Sequence, residues 1–433
     1  MTAAVPGRRK RRGAAFLPAA TAAVLIAVPG CAATPEATPT ATASPVTETP
    51  TPEPYDGPLL FVGDDLDAFA LTPAEVADLL PSAPPAGEVD DTLLQYADGG
   101  GPDFTPSVCG MLIMETSMFS IGARTVPWAD AEDTQNSGKQ EILQFASEDV
   151  AAERMDLLAS TVDRCAQFDA RGEGTFDAVA VPDEEGVRAF AGTMTMNAGG
   201  NPWRVHHAFA AVGNVVVHLR QPALDGSAFD AERAALLLRD RAVEAEAALI
   251  EELTDDPPVA ETPVPADPAA PWSDWEMTTT GVGPLVLGTS REEAVAAIPG
   301  ATVEEFDWSD RQVRVVSADG TSRLVLHFAE QGDALAAVTA GIANIQGDVE
   351  PDGAALPAAG GVRIGAPLTE AVAALREGTF LRVVSSGEYF YEWSTREGGT
   401  IRFRADRDFS DPAAVITGVT VEDATLRTPF RIE

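Results

Sequence analysis

The stretch Val286-Leu287-Gly288-Thr289-Ser290-Arg291-Glu292-Glu293-Ala294-Val295-Ala296-Ala297-Ile298 returns 77 residues later as Arg363-Ile364-Gly365-Ala366-Pro367-Leu368-Thr369-Glu370-Ala371-Val372-Ala373-Ala374-Leu375. Each copy reads as the end of a strand, a turn at the glycine and a helix that buries its Ala-Val-Ala-Ala-aliphatic side. Strand-like runs follow both copies in the same order, at 313–316, 324–328 and 338–342 and then at 389–393, 401–404 and 415–421. Residues 272–433 are therefore expected to form a tandem of helix-plus-three-strand units. Asp319-Gly320 is a hairpin signal. It pairs 315 with 324 and 313 with 326, which gives Val313, Val315, Leu324, Leu326 and Phe328 one core face and leaves Arg314, Val316, Arg323, Val325 and His327 on the other. In the second copy the same reading puts Phe390, Ile401 and Phe403 inside and Tyr389, Tyr391, Trp393, Arg402 and Arg404 outside. Exposed Tyr, Trp and Arg dominate binding hot spots, but large aromatics are also commonly buried under a second layer. Both readings stay open for this face.

Upstream, residues 58–253 carry a different pattern. Thr72-Pro73-Ala74-Glu75 is a capping box with proline at the first helical position, and Val76, Leu79 and Leu80 supply a short apolar face. Runs at 108–119 and 140–146 read as strands. A helix is expected from 148 to 168 behind a Ser147 cap, with Ala151, Met155, Leu158, Val162 and Cys165 on one side. Four strands follow near 174–181, 187–196, 202–212 and 215–221, the last two joined at Gly213-Asn214. That turn sets 212 against 215 and 209 against 218. Ala208, Ala210, Val212, Val215, Val217 and Leu219 then form a core side. His207, Phe209, His218 and Arg220 share the opposite side, either a solvated outer face or a ligand surface. A last helix, 228–253, is expected to bury Phe229, Leu236, Val243, Ala247 and Ile250.

Two Pro-rich stretches, 31–57 and 254–271, flank this region and bury too little apolar surface to offset chain entropy. They are expected as a disordered tether and an interdomain linker. Before them, Arg-Arg-Lys-Arg-Arg at 8–12, an apolar run from Ala14 to Val28 and Val28-Pro29-Gly30-Cys31 describe a secretory leader. The apolar run is short for a membrane span, which takes ~20 residues. Overall the chain has 67 acidic and 29 basic residues, a net charge of −38. That balance argues against nucleic acid, whose phosphates recruit Lys and Arg. Three cysteines and four histidines leave little for zinc or iron–sulfur sites. No Gly-x-Ser-x-Gly elbow, His-Glu-x-x-His helix or phosphate loop occurs. The Asp64, Asp65, Asp67 and Asp406, Asp408, Asp411 groups read as surface loops rather than calcium sites. No enzyme, cofactor or metal is expected.

Three resemblances extend this reading. The leader resembles the signal of bacterial lipoproteins, with Pro29 where Ala or Ser is usual. The resemblance implies that Cys31 is lipidated, becomes the mature N-terminus (residues 1–30 removed) and tethers the chain to the outer face of the cell membrane. Cys109 and Cys165 then remain as an even pair in an oxidising compartment, expected as a disulfide rather than two buried thiols. The Leu71-Thr72-Pro73-Ala74-Glu75-Val76-Ala77-Asp78-Leu79-Leu80 opening and the Ile142-Leu143-Gln144-Phe145 strand before the helix ending at Cys165 resemble the PknH-like extracellular sensor domain. That family implies an antiparallel sheet with helices and a ligand cleft. The tandem at about 280–425 resembles the β-lactamase inhibitor protein and the small outer-membrane assembly lipoprotein E, which implies a sheet that contacts a protein partner. The expected fold class is α+β, two domains each with an antiparallel sheet packed on helices. The expected function is a membrane-anchored ligand-binding or sensor module, for a small ligand or an envelope protein. The alternative is a protein–protein adaptor or inhibitor acting through the C-terminal domain.

Overall fold

Thr72 opens the first helix, α1 (Pro73–Leu79), through a reciprocal cap: the Glu75 amide donates to Thr72 Oγ1 at 3.3 Å and the Thr72 amide to Glu75 Oε2 at 2.7 Å. The computed structural model describes residues 54–427 other than 97–103, 114–115, 130–135, 199–200, 225–227, 260–261, 265 and 343–352. The leader, Cys31 and most of the Thr/Pro tether lie outside the described residues. After α1 come β1 (Thr92–Gln95), β2 (Gly122–Trp128), β3 (Gly138–Gln144), α2 (Glu148–Arg164), β4 (Phe168–Asp169), β5 (Glu173–Ala180), β6 (Arg188–Ala198), β7 (Asn201–Val212), β8 (Val215–Pro222) and α3 (Ala231–Asp255). Strands β2 to β8 form a seven-stranded antiparallel sheet in the order β2-β3-β8-β7-β6-β5-β4. The β7–β8 hairpin has the expected register, Val212 opposite Val215 and Phe209 opposite His218.

Both faces of this sheet are covered. One packs Ala208, Ala210, Val215, Val217 and Leu219 against α1 and α3. The other packs Phe190, Met194, Val205, Phe209 and Val216 against α2 and a 3-10 helix, Ser107–Leu112. That short helix replaces the strand expected at 108–119, since an unbroken apolar run does not distinguish strand from helix. Helix α3 also presents a different stripe. Ala234, Ala235, Leu238, Ala242, Ala245, Leu249 and Leu253 are buried, while Phe229, Leu236 and Val243 lie at the flank and Ala247 is exposed. Four alanines let the helix backbone approach the sheet. Ranking residues by size favours the bulkier neighbouring stripe instead.

The C-terminal half adds β9 (Glu276–Thr278), β10 (Gly281–Val282), β11 (Leu285–Val286), α4 (Arg291–Ala296), β12 (Thr302–Phe306), β13 (Ser309–Val316), β14 (Arg323–Phe328), β15 (Leu335–Gly341), β16 (Ala358–Ala359), α5 (Leu368–Ala374), β17 (Thr379–Val383), β18 (Glu388–Ser394), β19 (Gly399–Ala405) and β20 (Ile416–Asp423). A four-stranded sheet takes the order β11-β10-β9-β16, and a nine-stranded one β1-β17-β18-β19-β20-β15-β14-β13-β12. Each helix is thus followed by four strands of the nine-stranded sheet, not three. The extra ones, β12 and β17, are short, and β12 carries two adjacent glutamates that hide its alternation. The two turns repeat one hydrogen-bond pattern. Gly288 N donates to Leu335 O and Leu335 N to Thr289 O; Gly365 N donates to Ile416 O and Ile416 N to Ala366 O. Gly288 and Gly365 hold φ of +84° and +89°, a left-handed geometry that favours glycine.

The two halves interlock. Strand β1, from the first, extends the nine-stranded sheet by pairing parallel to β17, Leu93 opposite Leu381. Thr379 Oγ1 accepts from Ala123 N at 2.8 Å and donates to Ala123 O at 3.1 Å. Ser394 Oγ donates to Gln144 Oε1 at 3.0 Å, and Arg396 bridges Leu60 O, Asp65 and Glu252. Asp64 and Asp67 pair with Arg124. The Pro-rich stretch also touches the fold, for Ala266 N donates to Gly283 O and Trp275 Nε1 to Asp267 O. Among the described residues no helix is long and apolar enough to cross a membrane.

Candidate functional site

Alternation along β7 and β8 brings His207, Phe209 and His218 together, as expected, but in the core. All three are buried beneath α2. Phe209 stacks on His218 at 4.3 Å and the two imidazoles on each other at 5.4 Å. A chain of polar contacts threads them: Thr116 Oγ1 to His218 Nδ1 at 3.1 Å, then His218 Nε2 to His207 Nδ1 at 3.1 Å. Burial, and behind it the charge of Arg220, pushes His207 well below its ordinary pKa. Burial, then His207 and Arg220, does the same to His218. Both are therefore neutral. Arg220 lies at the edge of this cluster, with its guanidinium over the Trp203 ring at 6.0 Å. The unbroken run Val215-Val216-Val217-His218-Leu219 was the available signal, since strands buried on both faces lose their polar alternation.

The second group of residues divides between two faces. The β18–β19 register sets Tyr391 against Phe403 and Trp393 against Ile401, so Tyr389, Tyr391 and Trp393 belong to the core side. Tyr391 is fully buried; its hydroxyl donates to Leu375 O and accepts from Gly378 N at 3.0 Å. Phe390, Arg402 and Arg404 share the opposite face. This is a one-residue shift of β18 from the expected register. Aromatics line both sides of that strand, so hydrophobicity alone does not choose between them.

That opposite face forms one wall of a cleft of about 760 Å³ between the two large sheets. Leu93, Leu381, Val383 and Phe390 make its apolar side, continuous with the first half's core. Glu392, Arg402, Glu422 and Arg427 make its polar side. Arg427 grips Glu422 with two hydrogen bonds, 2.6 and 2.7 Å, and Arg402 donates to Glu392 at 2.8 Å. Burial raises the Glu422 carboxyl, but Arg427, its hydrogen bonds and Arg402 together outweigh that and hold it at about 2. At the rim Arg311 pairs with Glu330 at 3.1 Å.

A loop from the first half, 116–120, closes one end. Phe119 lines the cleft with 38% of its surface exposed and holds φ at +69°. A bulky aromatic in this left-handed region is a true outlier. Its neighbours hold it there. Arg154 Nη2 donates to Met118 O at 2.9 Å, Gln95 Nε2 to Ser117 O at 3.1 Å, Ser120 N to Ser117 O at 3.1 Å, and Arg427 Nη1 to Phe119 O at 3.4 Å. Thr116, at the start of the loop, is tied to His218. Sequence reading missed Phe119, Leu381, Glu392, Glu422 and Arg427. The polar alternation Glu392, Ser394 and Thr420, Glu422 was a usable signal for the wall; nothing local marked Phe119.

Cys109 and Cys165, both buried, form the expected disulfide, with their Cα atoms 5.6 Å apart. Cys31 lies outside the described residues. Among the described residues no three His, Cys, Asp or Glu side chains gather to hold a metal ion. Neither a scan against protein-family models nor a search of curated proteins returns a match to this chain.

Proposed function

We propose that this chain is an extracytoplasmic lipoprotein, held on the outer face of the cell membrane by an acylated Cys31, that binds a ligand in the cleft between its two large sheets. The leader sequence supports the anchor, and a buried disulfide suits an oxidising compartment. The cleft carries the ligand reading. Its volume lies within the range of ligand sites, ~300–1,000 Å³, and it sets an apolar wall beside a polar one. Its ionised groups are paired with one another, which suits binding rather than chemistry on a substrate. We read the first half as a sensor-like module and the second as an internal repeat whose sheet supplies the cleft's floor. The test is a thermal-shift library screen on the full mature chain, repeated with Phe390→Ala, together with intact-mass analysis of native protein. A hit lost in the variant and an acyl adduct on Cys31 are expected. A library without such a hit removes the ligand reading, and unmodified residues preceding position 31 remove the anchor.

One observation favours a second reading, a protein–protein adaptor. Trp308 is 62% exposed at the β12–β13 turn, its ring tilted against Phe306 at 4.8 Å, beside an edge strand of the nine-stranded sheet. Site-specific crosslinking from position 308 in cells tests it; recovery of the chain without a crosslinked protein argues against it.

A further inference from the structure

Strand β12 is an edge of the nine-stranded sheet: β13 pairs with one side of it, and among the described residues no strand pairs with the other. Alternate residues of an edge strand turn both N–H and C=O outward, a row of groups that a further strand can take up. The register with β13 is regular from Thr302, opposite Val316, to Glu305, opposite Val313, and shifts before Phe306. Over that run successive side chains point to opposite faces. Glu304 lies opposite Arg314 on one face. Val303 and Glu305 lie on the other, where Val303 is half-buried at the border of the C-terminal core. Past the shift come Phe306, with the Arg314 guanidinium over its ring at 5.1 Å, and the exposed Trp308. Residues 302–310 hold four acids, Glu304, Glu305, Asp307 and Asp310, and no Lys or Arg. Glu304 and Glu305 reach arginines on β13 and α4 yet keep 50% and 63% of their side chains exposed, and that of Asp310 is 96% exposed. Two copies of this edge would set carboxylates against carboxylates, which disfavours self-pairing. A cationic strand instead meets a carboxylate on either face, and the chain's net charge of −38 draws it in.

We propose that β12 is a docking edge for an extended cationic segment of a protein partner, which adds a strand to the sheet. Its backbone pairs with Thr302–Glu305, its Lys or Arg side chains meet Glu304, Glu305 and Asp307, and an apolar side chain packs on Trp308. This rests on the adaptor reading of Trp308 and adds the mode of binding and the chemistry of the partner. In such strand addition the main-chain hydrogen bonds supply affinity and the flanking side chains choose the partner.

The test uses the full mature chain and a fluorescein-labelled octapeptide of alternating Lys and Val, read by fluorescence anisotropy. Its controls are the alternating Glu and Val octapeptide and two forms of the cationic one, N-methylated at every lysine or at every valine. The cationic peptide is expected to bind about tenfold tighter than the acidic one, and more weakly as salt rises. The N-methylated form whose lost N–H groups face β12 binds about tenfold more weakly, and the other form, of equal charge, loses much less. Trp308→Ala and Asp307→Lys, with folding checked by circular dichroism, each weaken the cationic peptide by about fivefold. Equal binding of the cationic peptide and both N-methylated forms, or binding indifferent to Trp308→Ala, marks charge attraction alone and overturns strand pairing. Sedimentation that shows a dimer lost in Trp308→Ala assigns the edge to a second copy and overturns it too. A protein crosslinked from position 308 in cells, with no binding of the cationic peptide, overturns this inference and leaves the adaptor reading. Absence of both the crosslink and peptide binding overturns the two together.

Discussion

Replacing Phe119 by glycine and by alanine separates backbone strain from side-chain contact. Both variants delete the ring; only glycine relaxes at φ +69°. At an ordinary position glycine is the less stable of the two by ~0.5–1 kcal/mol, because its unfolded chain has more freedom to lose. At a left-handed position alanine carries a penalty of ~1–2 kcal/mol. The loop has no easy way to escape that penalty, since Met118 O, Ser117 O and Phe119 O are held by Arg154, Gln95 and Arg427. The difference leaves Phe119→Gly more stable than Phe119→Ala by ~0.5–1 kcal/mol, opposite in sign to the usual order. Urea unfolding at constant slope measures it, and a slope of ~3 kcal/mol/M turns the gap into roughly 0.2–0.3 M in midpoint. An alanine variant equal to or more stable than the glycine variant refutes the strain.

Other perturbations have expected outcomes. Removing the disulfide through Cys109→Ala with Cys165→Ala opens a loop of 56 residues and should cost ~4 kcal/mol in the chain-entropy description; equal urea midpoints for the oxidised protein and the double variant contradict it. Thr379→Val strips both partners from Ala123 N and O at the junction of the halves, with an expected loss of ~1–3 kcal/mol in the same assay and failure marked by an unchanged midpoint. All four histidines have folded pKa values lowered chiefly by burial, His206 to about 4. Below pH 6.5 the unfolded chain binds more protons than the folded one, so stability should fall between pH 7.5 and 5.5, before carboxylates protonate; a flat midpoint over that window contradicts neutral buried imidazoles. Glu422, depressed to about 2, adds a second limb: its contribution is present above pH 4.5 and is lost as pH falls towards 2. Glu422→Gln should make that limb shallower and leave the histidine limb in place.

Local interactions were legible from sequence because a few adjacent residues settle them. The Thr72 cap, the Ser147 cap, the Gly213-Asn214 and Asp319-Gly320 hairpins and their registers all rest on turn chemistry and alternation. The 77-residue recurrence likewise carried the paired glycine turns at 288 and 365. Which face of a strand meets solvent depends on what folds back over it. Helix α2 covers His207 and His218, and the β18 register turns Tyr391 inward and Phe390 outward; no window of β7 or β18 contains either fact. The cleft is the extreme case. Its lining comes from Leu93, Phe119, Leu381, Arg402 and Arg427, more than 300 residues apart. Phe119 takes its strained geometry from hydrogen bonds donated by Gln95, Arg154 and Arg427. Sequence alone marked the candidate disulfide pair and the α+β patterning. Tertiary structure decided where the cleft lies, because long-range packing brings its walls together.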